Sequence, residues 1–314
     1  MSTARLLEAV PNFSEGRDPA VVLAIVDAMR AEGAEVLDWS ADADHHRSVV
    51  TLVGPPHVVE NAAVAAARVA VERIDLNRHQ GVHPRVGALD VLPFVPVAGA
   101  TIADARASAR RVGQRLSREL GIPVYFYGAA SEPPGRPLSA LRKGGFETLR
   151  SAWPTDRPAD LVPDGWPHRG AHPTAGVTCV GARPVLLAWN VFVSGIDDDT
   201  ARRIARSLRE TEGGFLGVRA LALRLPATSR LQISMNVENV EMASPMDVFR
   251  RLETLVHEAG GAVDETEIIG MLPDQLLWGA AADRLKLAPD TARRLLSRGL
   301  LDVLTREGST SQDA

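Results

Sequence analysis

Within the eight residues Arg78-His79-Gln80-Gly81-Val82-His83-Pro84-Arg85 stand two imidazoles and two guanidinium groups. Imidazoles exchange protons near neutral pH, and guanidinium groups take carboxylates in a bidentate fork, so this grouping suits proton transfer on an anionic substrate. Gly81 and Pro84 argue against a continuous helix, and the side chains are expected to hang from a loop leading into the apolar run Val91-Leu92-Pro93-Phe94-Val95. His83 is the first candidate for an acid or base and His79 the second; for either, the plainer alternative is a structural histidine bonded to a backbone carbonyl. The spacing His79-x-x-x-His83 would suit zinc only on one helical face. The backbone breakers disfavour that and the glutamate of the zinc-protease motif is absent, so no metal is expected.

Three further clusters carry polar chemistry. Asp42-Ala43-Asp44-His45-His46-Arg47 can stabilise a cationic group, bind a metal, or pair internally on a solvated turn. In Pro11-Asn12-Phe13-Ser14-Glu15-Gly16-Arg17, Ser14 or the following Asp18 is placed to cap a helix. His172-Pro173-Thr174-Ala175-Gly176-Val177-Thr178 runs into Gly181-Ala182-Arg183, where glycines let a ligand approach the backbone; there is no phosphate-loop lysine and no dinucleotide fingerprint. In Leu231-Gln232-Ile233-Ser234-Met235-Asn236-Val237 the apolar residues point one way and Gln232, Ser234 and Asn236 the other. A row of uncharged polar groups suits a partly buried ligand surface; an exposed sheet face or a dimer contact is the alternative.

These groups need a scaffold, and the rest of the chain supplies one. A chain of 314 residues that is 45% hydrophobic can bury two cores of ordinary domain size. It has no run of about 18 apolar residues and no signal-peptide pattern, which makes the cytoplasm the default compartment. The single cysteine, Cys179, forms no internal disulfide, and a net charge of −4 gives no reason to expect nucleic acid. Leu6 to Val10 reads as a strand and Val22, Ile25, Val26 and Met29 as a helix stripe. Strands at Glu35 to Trp39 and Arg47 to Val53, a helix through Val58, Ala62, Ala65 and Val69, and a strand at Asp90 to Val97 complete the order βαββαβ. A helix over 102 to 119 and a strand at Ile122 to Tyr127 extend this half.

The order then repeats. Val185 to Val193 is a strand, Ala201, Ile204, Ala205 and Leu208 a helix face, and Val218 to Leu225 and Leu231 to Val237 two strands. Ser244-Pro245 signals a helix start before Val248, Leu252 and Leu255, and Glu267 to Met271 closes as a strand. The expected fold is α+β, with two split βαβ units divided as 1–180 and 181–304, and a polar, disordered tail at 305–314. Between the units lies a stretch with Pro154, Pro158, Pro163, Pro167 and Pro173, which is either a linker or a functional loop.

Several segments resemble the glutamate formimidoyltransferase family, in order and over nearly the whole chain. They are Val10 to Arg17, Val53-Gly54-Pro55-Pro56, Ile74-Asp75-Leu76 through His83-Pro84-Arg85-Val86-Gly87-Ala88-Leu89-Asp90-Val91, Pro123 to Gly128, His172 to Gly176 with Gly181-Ala182-Arg183, and Ile269-Gly270-Met271-Leu272-Pro273. No stretch resembles the cyclodeaminase module fused to the transferase in animals. The resemblance implies transfer of the formimino group from N-formimino-L-glutamate to N5 of tetrahydrofolate, a co-substrate, late in histidine degradation. It also implies two ferredoxin-like subdomains with mixed sheets, helices on one face, a ligand groove between the open sheet faces, and a cytoplasmic homodimer acting on small molecules.

By the same resemblance His83 is the catalytic histidine, taking the proton from folate N5 and returning one to the departing glutamate nitrogen. An amidinium wants a nearby acid such as Asp44, and the donor's carboxylates want groups of the kind that Asn12, Ser14, Arg47, His79 and Arg85 offer, with Asn190, Gln232 and Asn236 lining the groove. The folate-binding stretch falls on His172, Pro173, Thr174, Ala175 and Gly176, followed by Thr178. The sequence departs from the family at His46, where asparagine is usual, at Phe192, where a second asparagine often follows Asn190, and at Ser40, where animal enzymes have an acid. A different one-carbon donor or acceptor, such as 5-formyltetrahydrofolate or a specialised-metabolite amine, and a non-catalytic folate-binding module are the alternatives.

Overall fold

A computed structural model describes residues 5–81, 84–226, 228–238, 240, 242–271 and 274–285. His83 and the tail at 305–314 lie outside the described residues. The chain is α+β and packs as two units that divide between Arg183 and Pro184. No helix among the described residues is long and apolar enough to cross a membrane.

The first unit runs β1 (Leu7–Ala9), β2 (Asn12–Phe13), α1 (Pro19–Ala31), β3 (Glu35–Asp42), β4 (Arg47–Gly54), α2 (Pro56–Arg73), β5 (Leu89–Pro96), α3 (Ile102–Leu120), β6 (Val124–Gly128), α4 (Leu138–Leu141), α5 (Gly145–Ser151) and β7 (Thr178–Ala182). β1 and β2 share one row of the sheet between β4 and β5, because Pro11 cannot donate and breaks the ladder there. From edge to edge the strands lie β3, β4, β1 with β2, β5, β7, β6. All neighbours are antiparallel except β5–β7 and β6–β7. The helix starts follow capping chemistry. Asp18 accepts from the Ala20 amide ahead of Pro19, and Thr101 and Asp104 form a reciprocal capping box on α3.

Helices α1, α2 and α3 cover one face, where Ile25, Met29, Leu52, Phe94, Val112 and Phe126 are fully or almost fully buried. The expectation that helices occupy one face only needs correcting at β6 and β7. Their alternation puts Val124, Phe126 and Val180 under α3, whereas Tyr125, Tyr127 and Cys179 point the other way and are covered by Leu141 of α4 and Leu149 of α5. Parallel strands are commonly apolar on both faces, and the unbroken run Val124-Tyr125-Phe126-Tyr127 carries that signature. β7 itself falls in the stretch read as a glycine-rich ligand loop. A Cβ on Gly181 would enter the van der Waals shell of the Tyr127 ring, so this glycine makes room for a tyrosine. Gly181→Ala is expected to destabilise the chain by about 1–3 kcal/mol through overpacking, read as a lower urea midpoint at unchanged slope.

The second unit runs β8 (Leu187–Ser194), α6 (Asp198–Leu208), β9 (Val218–Arg224), β10 (Leu231–Val237), α7 (Pro245–Glu258), β11 (Ala262–Ile269) and α8 (Asp274–Leu285). Its sheet, ordered β11, β8, β10, β9, is wholly antiparallel rather than mixed. The first unit repeats this order with β5, β1 with β2, β4 and β3 in the corresponding places. α6 and α7 bury Ile204, Leu208, Val248 and Leu252 against Trp189, Val191, Ile233 and Met235. Ser244 stands at the start of α7 without a side-chain capping bond, so Pro245 at the first turn marks the start. β11 begins at Ala262, ahead of the expected Glu267, because Asp264 and Glu265 lie on an exposed edge strand and mask its pattern.

Candidate active site

Three of the four polar clusters meet at one place. A narrow crevice, too tight to admit a water molecule, is lined by Phe13 and Ser14 from the end of β2, His45, His46 and Arg47 from the β3–β4 turn, and His79, Arg85 and Asp90. The strand order produces this meeting, because β2 lies between β4 and β5 and its end therefore sits beside the start of β4 and the segment entering β5. Ser14 is buried; its amide donates to the Ala88 carbonyl at 2.9 Å and its hydroxyl to the Gly87 carbonyl at 2.7 Å. Asn12 accepts from the Arg47 guanidinium through Oδ1 and donates through Nδ2 to Val10 O at 2.7 Å.

Burial, with Arg142 nearby, lowers the pKa of Arg47 to about 10 against the opposing pull of Asp90 and Asp42, and it remains a cation at neutral pH. Arg85 was expected to receive a carboxylate of the substrate. Its fork is already occupied by Glu147, at 3.1 and 2.8 Å, and the pairing holds the Glu147 carboxyl below its ordinary range. Asp44 is half-buried and is not among the residues that line the crevice; its backbone N–H turns to Asp42, whose carboxylate also takes the His45 amide at 2.8 Å and the His45 ring at 3.0 Å.

His46 and His79 stack face to face, centroids 4.2 Å apart and planes 8° from parallel. His46 Nε2 lies 3.2 Å from the Glu15 carboxylate and its Nδ1 3.1 Å from the Gln80 carbonyl. His79 Nε2 lies 2.7 Å from the His46 carbonyl oxygen. His46 takes the left-handed backbone, φ 50°, a region in which histidine and asparagine occur more readily than most other side chains. The asparagine usual in the resembling family would meet the same demand. Gly81 explains itself here too, because a Cβ on it would sit 2.8 Å from the His46 Cβ and closer still to the His45 carbonyl.

Four contributors escaped the sequence reading. Glu15 accepts the amides of Gly16, Arg17 and Asp18 through one oxygen as well as His46; desolvation opposes these bonds, but together they hold its pKa down. Asp90, 3% exposed, accepts the Val86 and Gly87 amides at 2.7 and 3.2 Å and pairs with Arg142. Arg142 and Glu147, each more than fifty residues from its partner, left no local signal. Asp90 did leave one: a lone acid in Ala88-Leu89-Asp90-Val91-Leu92 must find partners when the strand is buried.

The fourth cluster is a tight self-bonded turn. His172 and Gly176 exchange both backbone hydrogen bonds, and His172 Nδ1 accepts the Ala175 amide at 3.0 Å. Thr174 and Ala175 carbonyls accept the Leu76 and Ala88 amides at 2.9 Å, and the Pro173 carbonyl accepts from Asn77 at 3.0 Å. The turn is therefore stitched to both stems of the histidine segment. Gly176, φ 73°, presses on the Val86 carbonyl, where any side chain would clash. Thr178 is 2% exposed inside β7.

In the second unit Asn190, Phe192, Gln232 and Asn236 share one sheet face. Asn190 lies opposite Ser234 and donates to Glu267 at 3.0 Å. Gln232 lies opposite Phe192 and is 2% exposed, while Asn236 is exposed. Arg230 stacks over the Phe192 ring at 3.8 Å and pairs with Glu265 at 2.8 Å. No group of three or more metal-ligating side chains occurs among the described residues.

Burial pushes the imidazoles of His79 and His172 below the ordinary histidine range, with His46 and Arg85 adding to the effect at His79 and His168 at His172. The unfolded chain then binds protons that the folded chain refuses, so stability is full above about pH 6.5 and falls as the pH drops towards the folded values. Thermal midpoints are expected to decline between about pH 6.5 and pH 5, above the range where the carboxylates titrate, and to decline less in His79→Gln with His172→Gln. Equal slopes in the two proteins would contradict this.

Residues 6–183 match the family model described as the formiminotransferase domain, N-terminal subdomain, and residues 188–286 match that of the formiminotransferase domain. The chain is 37% identical over 308 residues to a glutamate formimidoyltransferase from Streptococcus pyogenes serotype M1, covering 95% of this chain and 99% of that one. It is 37% identical over 289 residues to a glutamate formimidoyltransferase from Thermoplasma acidophilum, with 90% and 93% covered. Similarity to the formimidoyltransferase-cyclodeaminase of Sus scrofa is 38% over 287 residues, 89% of this chain and 52% of that longer protein.

Proposed function

The chain belongs to the formiminotransferase family, and from that membership we propose that it transfers the formimino group of N-formimino-L-glutamate to N5 of tetrahydrofolate, releasing glutamate, in histidine degradation. The observation that carries this reading is the match of both subdomains, together with relatives named glutamate formimidoyltransferase that align over nine-tenths or more of both chains. Tetrahydrofolate supplies the attacking nitrogen. His83 takes a proton from that nitrogen and returns one to the glutamate nitrogen, so that the bond from the formimino carbon to glutamate breaks as the new bond forms. Arg47 gives the crevice a lasting positive charge suited to a dicarboxylate, and Asn12 and Ser14 fix the backbone around it. We assign the 172–178 turn to holding the histidine segment in place beneath the folate, on the strength of its bonds to Leu76, Asn77 and Ala88. The same membership leads us to propose a cytoplasmic homodimer.

Purified chain given tetrahydrofolate and formiminoglutamate is expected to form 5-formiminotetrahydrofolate, followed by mass spectrometry. A folded preparation that forms none overturns the proposal. One observation favours a second reading with another one-carbon donor: the phenyl ring of Phe192 under Arg230 replaces an amide usual in the family. A donor panel on the wild type and Phe192→Asn separates the two, since the second reading requires faster turnover of another donor.

A further inference from the structure

His79 carries a lone pair that nothing among the described residues satisfies. Its Nε2 faces the His46 carbonyl oxygen at 2.7 Å; a carbonyl only accepts, so Nε2 holds the proton and a neutral ring leaves Nδ1 bare. Nδ1 is buried without a hydrogen-bond partner, in a residue only 8% exposed. The ring cannot turn to relieve this. It is stacked on His46; a flip would put Cε1 in place of Nε2 and lose the bond to the carbonyl, and the other tautomer would set a lone pair against the same oxygen. Arg85 beside it gives Nη1 and Nη2 to Glu147 and the Leu76 carbonyl, its Nε making no bond to His79, and Asp90 and the Ser14 hydroxyl have backbone partners. A buried acceptor left unmade costs about 1–3 kcal/mol, so a donor that enters the crevice gains by completing it.

The chemistry of that donor is narrow. A carboxylate offers only acceptors and could face His79 only if Nδ1 were protonated, which burial and the neighbouring Arg85 guanidinium oppose. An amidinium is planar and its N–H groups carry positive charge, which makes the bond to a neutral imidazole charge-assisted. The Glu15 carboxylate, 3.2 Å from the stacked partner ring, supplies a negative charge that partly offsets the Arg47 and Arg85 guanidinium groups lining the same crevice.

We propose that His79 Nδ1 is the acceptor that receives an N–H of the donor's amidinium, and so is a donor-binding residue separate from the proton-exchanging histidine. This rests on the formimino-transfer reading. Long-range proton–nitrogen spectra of imidazole-labelled protein test it directly. In the free chain His79 is expected to be the Nε2-protonated tautomer with an unbonded Nδ1. Saturating formiminoglutamate should move the Nδ1 resonance as it accepts a bond, and glutarate, which has both carboxylates and no N–H, should leave it in place.

His79→Gln keeps a donor for the His46 carbonyl and takes the acceptor away from the Nδ1 position, its own amide oxygen standing elsewhere. It is expected to raise KM for formiminoglutamate about 10- to 100-fold, with KM for tetrahydrofolate and the thermal midpoint at neutral pH little changed. Formiminoglutamate that binds in calorimetry without moving Nδ1 overturns the assignment alone. Absence of any binding heat overturns the transfer reading itself, and this inference with it.

Discussion

Replacing His83 by alanine is expected to slow formimino transfer by about 10²- to 10⁴-fold while tetrahydrofolate affinity stays within a few-fold of wild type. The magnitude is that of a general acid–base group lost from a step in which one nitrogen gives up a proton and another gains one. The surrounding structure narrows which imidazole is free for the task. His79 has Nε2 tied to a carbonyl, and His46 has its two nitrogens against Glu15 and Gln80. His45 is bound to Asp42, and His172 Nδ1 closes its own turn. A proton shuttle must load and unload without breaking a structural bond; His45, His46 and His172 are spent on such bonds, and His79 keeps only a buried Nδ1. Single-turnover rates give the loss, calorimetry with tetrahydrofolate gives the affinity, and added imidazole should restore part of the rate to the alanine variant. An alanine variant that turns over at the wild-type rate would remove His83 from the chemistry and move attention to the bare nitrogen of His79.

Which parts were legible in the chain follows from what each rests on. Elements set by their own residues were: the stripe Val22, Ile25, Val26, Met29 is α1, and the alternation of Leu231 to Val237 is β10 with the apolar side inward. β2 is two residues long and has no period to read, and β7 is spelled Thr-Cys-Val-Gly-Ala, which looks like a loop until Tyr127 is seen to need the space over Gly181. The site shows the same division. Residues 12–17, 42–47 and 78–85 each announced chemistry, but their convergence depends on strand order, which no local pattern encodes. Arg85 looked like an anion receptor because its owner, Glu147, stands 62 positions away. The 172–178 turn looked like a ligand cradle because glycine marks a close approach without saying what approaches; the Val86 carbonyl does.

Asp90→Ala is expected to cost about 3–5 kcal/mol of stability, the largest loss we anticipate from a single side chain in the first unit. Three deficits arise together. The buried Val86 and Gly87 amides lose their acceptor, Arg142 loses its counter-charge at a site where the pair is 15% and 4% exposed, and Arg142 and Arg47, which repel, lose the carboxylate near both. The residues released are those at the C-terminal stem of the histidine segment, so transfer should slow even in molecules that remain folded. Asp90→Asn separates the contributions. Its amide oxygen can still accept both backbone amides, but it brings no charge, so its urea midpoint should fall between those of wild type and alanine. An alanine variant as stable as wild type would mean that the two guanidinium groups reach solvent or another anion when the carboxylate is gone, and that the stem is held by the 172–178 turn alone. Equal losses for asparagine and alanine would instead assign the whole effect to charge, and the pair of backbone bonds would then count for little.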